Sequence, residues 1–239
     1  MQKIAVLSDL HAPYHSRPSL NIFLKVMKWW KPDILVQIGD LVDLYAVSRH
    51  DKDPLKDRGL KHELATVNKI LEELKPIGAR KIITLGNHDQ RLESYINKNA
   101  PALAGMLTLP DVLDLEGWEI YPYQEPVTIG KISFVHDLGY AGKTALRSTI
   151  DSYPANLVFG HTHRREQLTR GNLRREKMTI TNFGWMGDSR AIDYLPSVKV
   201  KQDWCHGFGM IYLDSDGTPH VQSVPIERGK AFVEGKIWR

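Results

Sequence analysis

With 239 residues and 42% hydrophobic content, the chain is the size of one large α/β unit with a substantial core. Cys205 is the only cysteine, which excludes an intrachain disulfide, and no stretch approaches the roughly 18 apolar residues of a membrane span. A strand-like run begins almost at Met1 with no charged-then-apolar leader, so the expected address is cytoplasmic, and the net charge of +4 suits an anionic substrate without choosing one.

In chain order, the first half alternates strand-like and helical patterns. Lys3-Ile4-Ala5-Val6-Leu7 reads as a buried strand, and 18–30 then carries Leu20, Phe23, Leu24, Met27 and Trp30 at helical spacing. A second strand follows in Asp33-Ile34-Leu35-Val36-Gln37-Ile38, a second helix over 60–74 with Leu64, Val67, Ile70, Leu71 and Leu74, and a third strand in Lys81-Ile82-Ile83-Thr84-Leu85. These are βαβ units with crossover helices. Between them, 50–58 is dense in charge, holds Pro54 and reads as an exposed loop. After Pro110 the pattern turns to short strands at 118–123, 126–130, 132–135, 156–159, 166–170, 174–181, 209–213 and 220–224, separated by turns such as Ser215-Asp216-Gly217. This order predicts an α/β fold of two mixed β-sheets packed face to face with flanking helices. Without repeats, low-complexity tracts or a linker, 1–239 reads as a single domain.

Five of the strand-like runs are each followed by a short polar segment: Asp9-x-His11, Gly39-Asp40-x-x-Asp43, Gly86-Asn87-His88-Asp89, His136 and Gly160-His161-Thr162-His163. At strand ends they are expected to collect along one edge of a sheet. In extended backbone, residues i and i+2 point the same way, so Asp9 with His11, and His161 with His163, would each present two side chains to one cleft. Imidazole, carboxylate and amide oxygen together suit manganese, iron, zinc or similar ions in a catalytic role, and the lack of cysteine ligands argues against structural zinc. Gly39 leaves room for Asp40 to approach two ions at once, which makes Asp40 the expected bridge. Asp43 reads equally as a cap of the following turn or as a partner of a ligand histidine.

These segments resemble the signature of the calcineurin-like metallophosphoesterases, D-x-H, G-D-x-x-D, G-N-H-[DE], a lone H and G-H-x-H, in that order from Lys3 to His163. The resemblance implies a four-layer sandwich. It implies two divalent ions, manganese first with iron, zinc, nickel or cobalt as the other choices: Asp9, His11 and His163 on one, Asn87, His136 and His161 on the other, and Asp40 shared. His88 would be the general acid near the leaving group and Asp89 the carboxylate that orients it. The implied reaction is hydrolysis of a phosphate ester by in-line attack of a metal-bridging hydroxide. Gly86-Asn87-His88-Asp89-Gln90-Arg91 is also similar to the longer G-N-H-E-x-R form of the phosphoprotein phosphatases, which makes Arg91 a candidate phosphate clamp, beside the plain reading of a solvated residue in a first helical turn. Asp43-Leu44-Tyr45 departs from the D-R-G continuation of that subfamily and points to a small stand-alone member of bacterial or phage type. Asn182-Phe183-Gly184 is similar to the N-x-G turn of many members.

The basic stretch Arg164, Arg165, Arg170, Arg174, Arg175 and Lys177 starts beside His163; interspersed with Glu166 and Glu176, it reads either as the solvent face of a hairpin or as a surface tracking an anionic backbone, with Arg164 a substrate contact. With the net charge and the missing Arg-Gly, it favours a phosphodiester substrate, DNA, RNA or a nucleotide, over a phosphomonoester or a phosphoprotein. A catalytically silent metal-binding scaffold is the non-enzyme alternative, and His88 beside the full ligand set argues against it. No nucleophilic triad and no G-x-x-x-x-G-K loop is present. No membrane partner is expected, and the oligomeric state is open. His206, Trp29, Trp30 and Trp185 are expected to serve packing.

Overall fold

The structure is a computed structural model that describes residues 1–49, 51, 59–171, 173, 176–192 and 201–239. The charged loop read over 50–58, Asp51 apart, and Arg174 and Arg175 of the basic stretch lie outside these residues.

Alternation along the strands decides the layering. In β1 (Gln2–Ser8), Ile4 and Val6 belong to one apolar cluster and Ala5 and Leu7 to another. β2 (Ile34–Ile38) repeats this, with Ile34, Val36 and Ile38 on one face and Leu35 on the other, as does β3 (Arg80–Thr84) with Ile82 and Ile83. A strand apolar on both faces must be covered on both. One cover is α1 (Arg17–Trp30), N-capped by Ser16, with α2 (Leu60–Leu74); their apolar stripes, Leu20, Phe23, Met27 and Trp30 on the first and Val67, Ile70, Leu71 and Leu74 on the second, are buried against this sheet. The other cover is a second sheet.

The first sheet has the order β11-β10-β1-β2-β3-β4, including β4 (Trp118–Tyr121), β10 (Gly207–Leu213) and β11 (Pro219–Pro225). β1 to β4 run parallel and β10 and β11 close it antiparallel. The second has the order β5-β6-β7-β9-β8, from β5 (Val127–Ile129), β6 (Ile132–Phe134), β7 (Leu157–Val158), β8 (Arg165–Gly171) and β9 (Lys177–Phe183). Its outer face is covered by α5 (Ala145–Ser152), through Ile150 against Leu157, Phe159 and Ile180. Three apolar interfaces therefore separate four layers, as the resemblance implied.

One expectation is corrected. The polar segments do not gather along an edge of one sheet: three leave β1, β2 and β3 of the first sheet, and two leave β6 and β7 of the second. They meet where the carboxyl ends of the parallel strands of both sheets come together, a place where open α/β sheets commonly bind ligands. The chain pattern also left unread the extent of α3 (Arg91–Asn99), and α4 (Leu109–Val112), α5 and the terminal hairpin of β12 (Ala231–Val233) and β13 (Lys236–Trp238) altogether. Trp238 of that hairpin meets Trp29 at a ring distance of 5.4 Å. Among the described residues no helix is long and apolar enough to cross a membrane.

Phe23 is fully buried and meets Phe208 edge-to-face at 5.4 Å, joining α1 to β10. Phe23→Ala is expected to cost about 3–5 kcal/mol, read from urea denaturation; a loss below about 1 kcal/mol would mean that this layer is not close-packed.

Candidate metal centre

Of three candidate ligand sets that converge here, two share Asp40, and the third is His11, Asp43 and His88. Carboxylate oxygens of Asp9 and Asp40 and imidazole nitrogens of His11 and His163 lie within 4.8 Å of one another, as do single atoms of Asp40, His136 and His161. In the first set His163 Nε2 is 3.3 Å from Asp9 Oδ1, and His11 Nε2 is 3.6 Å from Asp40 Oδ2 and 3.0 Å from His163 Nε2. In the second, His136 Nε2 is 3.3 Å from Asp40 Oδ2. Asn87 Oδ1 completes it, 3.2 Å from His136 Nε2 and 2.9 Å from His161 Nδ1.

The convergence has a different cause from the one expected. Asp9, His11, Asp40, His161 and His163 all have left-handed backbone, with φ between 48° and 68°. They are not extended, so the i and i+2 argument does not explain why these side chains meet. Asp and His tolerate this region better than bulkier side chains, and each such residue still costs on the order of 1 kcal/mol that the surroundings must offset. Among the described residues, half of the ten non-glycine residues with positive φ are these five, so strain is concentrated at the site.

Each imidazole is aimed by what its far side touches. His136 Nδ1 donates to the Ile38 carbonyl at 3.0 Å, leaving Nε2 towards Asp40. His11 Nδ1 meets Asp43 Oδ2 at 3.1 Å, which resolves Asp43 as the partner of a ligand histidine. His163 is held by its faces: it stacks on Trp185 at 4.5 Å and meets the edge of Trp204 at 4.4 Å. Trp185 is thus buried, as expected, and also orients a ligand residue. Asn182 fixes the loop that carries His161 and His163, donating to the Gly160 carbonyl at 2.7 Å and to Thr162 Oγ1 at 3.0 Å.

Asp89 does not orient His88. Its two oxygens accept backbone N–H groups of Val42, at 3.2 Å, and Gly86, at 2.8 Å, tying the loop after β2 to the loop after β3. Burial and the charge of Asp40 push its carboxyl up to about 7. The carboxylate beside His88 is Asp43, with Oδ2 at 3.4 Å and its carbonyl at 3.2 Å from Nδ1. Arg91 is likewise no solvated residue of a helix start. Its Nη1 donates to the Asp43 carbonyl at 2.8 Å and lies 3.1 Å from Oδ1, while Nη2 is 3.0 Å from His88 Nε2. Arg164 turns to Asp203, at 3.6 Å. His206 donates to the Gly187 carbonyl at 2.7 Å and serves packing.

Sequence reading missed Asp137, whose only signal is its place after His136. It is buried, accepts from Tyr123 at 3.1 Å and from the Gly139 N–H at 2.6 Å, and lies 4.0 Å from His136 Nε2. Ser8, also missed, donates to Asp9.

Burial alone would raise the Asp40 carboxyl, but the charges of His136, His88 and His11 outweigh it and hold the group well below its usual range. Burial likewise opposes protonation of His136, and Asp40 and Asp9 reverse that. Asp40 and His136 thus hold each other charged inside the site.

The residues fit divalent metal. The donors are carboxylate, imidazole and amide oxygen, the set that transition ions of borderline softness prefer. The room around them is set by glycine: a Cβ on Gly39, at φ +64°, would stand 2.5 Å from His136 Nδ1, and one on Gly86 would overlap Asp40 Oδ1. Gly86→Ala is therefore expected to fold, shown by circular dichroism, yet to retain only a minor fraction of wild-type metal by elemental analysis. Wild-type metal content in that variant would mean that Asp40 needs no such clearance.

Residues 2–188 match the family model described as calcineurin-like phosphoesterase. Over nearly its whole length the chain is similar to two phage proteins, each called Gene 54 protein. That of Mycobacterium phage L5 is 27% identical, over 99% of this chain and 98% of that one. That of Mycobacterium phage D29 is 26% identical over the same shares. Among solved structures, a double mutant of Vps29 from Entamoeba histolytica shares the fold, with a TM-score of 0.51 at 15% identity over 99% of this chain and 96% of that one. With the family model matching most of its length and His and Asp clusters suited to divalent metal at its strand ends, the chain belongs to the calcineurin-like phosphoesterases.

Proposed function

We propose that the protein is a binuclear-metal phosphodiesterase acting on nucleotide or nucleic-acid substrates. The observation that carries the reading is Asp40, a buried carboxylate common to two ligand sets, with His88 beside both and grouped instead with His11 and Asp43. Asp9, His11, Asp40 and His163 would hold one ion, and Asp40, Asn87, His136 and His161 the other. Two divalent ions so placed, manganese first among the candidates, supply Lewis-acid stabilisation of the phosphoryl oxygens and lower the pKa of water.

The chain's own groups do the rest. Water is the attacking group, and no serine or cysteine nucleophile is required. His88 Nε2 accepts from Arg91 in the resting site; once Arg91 turns to substrate, Nε2 takes up a proton from water, and His88 gives that proton to the leaving oxygen as the P–O bond breaks. Arg91 is held between Asp43 and His88, and a phosphate competes for its guanidinium with two anionic oxygens. Transfer of Arg91 to substrate uncovers His88 Nε2 for the leaving group. Asp43, fixed against His11, keeps His88 in place meanwhile. The absence of Arg-Gly after Asp43 and the net charge of +4 support a nucleotide-type diester over a phosphoprotein.

Chelation is expected to abolish turnover of bis-p-nitrophenyl phosphate, and Mn²⁺ to restore it. Full activity in protein stripped of metal would overturn the mechanism; metal-loaded protein that turns over no phosphate ester would favour the silent scaffold. His88→Asn is expected to keep its metal and lose about 10²- to 10⁴-fold in kcat on esters with alkoxide leaving groups. Nitrophenyl esters, whose departure needs little proton donation, should lose far less. Equal losses on both would remove His88 from the role of acid.

A further inference from the structure

A cleft of about 700 Å³ opens directly beside the metal centre. Its inner wall is Asn87, a member of the second ligand set, and Arg91, whose guanidinium touches His88; its outer walls are α3 on one side and Ser48 and Arg49 on the other. The cleft therefore starts on the side of the centre where the proposed acid stands. Resting on the phosphodiesterase reading above, we propose that this cleft binds the leaving-group strand of a single-stranded polynucleotide, with Tyr95 stacking an unpaired base and Arg49 and Lys98 meeting backbone phosphates.

Three observations carry the proposal. Arg91, Tyr95 and Lys98 stand at i, i+4 and i+7 of α3, on one face of the helix and along one wall. Seven residues of helix advance roughly 10 Å, about three stacked nucleotide steps at roughly 3.4 Å each. The wall thus outreaches a mononucleotide and suits a short run of strand.

The second observation is charge. Among the described residues no carboxylate lines the cleft, and Arg49 and Lys98 make no ion pair. Those arginines expected from sequence to track a backbone that lie among the described residues are engaged instead: Arg164 with Asp203, Arg165 with Glu227 at 3.2 Å, and Arg170 with Asp151. A cation already neutralised by a carboxylate gains little from a phosphate, whereas one facing solvent releases counterions when it binds. The polyanion surface belongs to α3, not to β8.

The third is Tyr95, which is 45% exposed and whose phenol has no hydrogen bond among the described residues. An exposed aromatic between two cations, beside a phosphoryl-transfer site, is the pairing that single-strand binders use: base on ring, phosphates on cations. A duplex keeps its bases paired and gives the ring nothing to stack.

The test uses the whole chain with Tyr95→Ala, Tyr95→Phe and the double variant Arg49→Ala/Lys98→Ala. In chelated, non-cleaving protein, binding of a labelled oligothymidylate of about ten nucleotides is followed by fluorescence anisotropy. Tyr95→Ala is expected to weaken binding roughly fivefold or more, with Tyr95→Phe close to wild type. The double variant should lower the log–log salt slope by about 1.4, two cations at roughly 0.7 each. With Mn²⁺ restored, both alanine variants should lose more kcat/KM on the oligomer than on bis-p-nitrophenyl phosphate. Turnover of the small diester with oligomer binding indifferent to all three variants would overturn the cleft alone, as would equal affinity for duplex DNA or a phosphopeptide. Oligomer binding that depends on Tyr95, without turnover of any ester, would keep the cleft and overturn the phosphodiesterase reading.

Discussion

Asp40 carries a negative charge where the fold gives it almost no water: the residue is 1% exposed, at the junction of two sheets. A buried carboxylate is tolerated only when paired and hydrogen-bonded. Its partners come from both sheets: the His88 N–H at 2.9 Å and His11 at 3.6 Å from the first, and His136 at 3.3 Å from the second. Because the apolar layer between the sheets is non-directional, it brings them together without fixing their offset. The polar cluster does fix it, since a small slide would part Asp40 from His136. Divalent metal bound at this carboxylate would add its binding energy to the same alignment.

Left-handed ligand residues are sustained by hydrogen bonds that run between loops. The Asp9 N–H donates to the Gly39 carbonyl at 3.2 Å and the His11 N–H to the Asp40 carbonyl at 2.9 Å, binding the loop after β1 to the loop after β2. In the second sheet the Gly160 N–H donates to the His136 carbonyl at 2.8 Å. The Met186 N–H reaches back to the Asp9 carbonyl at 3.0 Å, and the Cys205 N–H to the His163 carbonyl at 2.9 Å. Each loop thus satisfies backbone groups of another, so the unfavourable φ values cannot relax one at a time. Metal-site geometry is in this sense a property of the loop cluster before it is a property of the side chains.

Much of this was legible because it is local. Alternation in β1 to β3 and 3.6-residue spacing in α1 and α2 are one-dimensional signals, and the ligand types follow each strand directly. What escaped depends on residues far apart in the chain. Nothing near Gly86-Asn87-His88-Asp89 tells that the carboxylate beside His88 is Asp43, about one βαβ unit upstream, while Asp89 serves backbone donors. Nothing near the basic stretch reveals Asp203 and Glu227 as its counter-charges. Helix α5 escaped for another reason: with eight residues, of which Ala145, Thr149 and Ile150 are buried, it is too short to register a period.

Asp43 shows how one side chain couples separate functions. Its carboxylate holds His11 in the first ligand set, stands 3.4 Å from His88 and takes an ion pair from Arg91 at 3.1 Å, while its carbonyl accepts from Arg91 as well. Ligand, proposed acid and proposed clamp are therefore referred to a single point just beyond β2. That point is itself pinned, since the Asp43 N–H donates to the Ala12 carbonyl at 2.9 Å and the side chain is fully buried. Removing its carboxylate would free His11 Nδ1, while the Asp43 carbonyl would still hold Arg91 and His88. This is why a residue outside both sets that include Asp40 is as deeply built into the site as the residues within them.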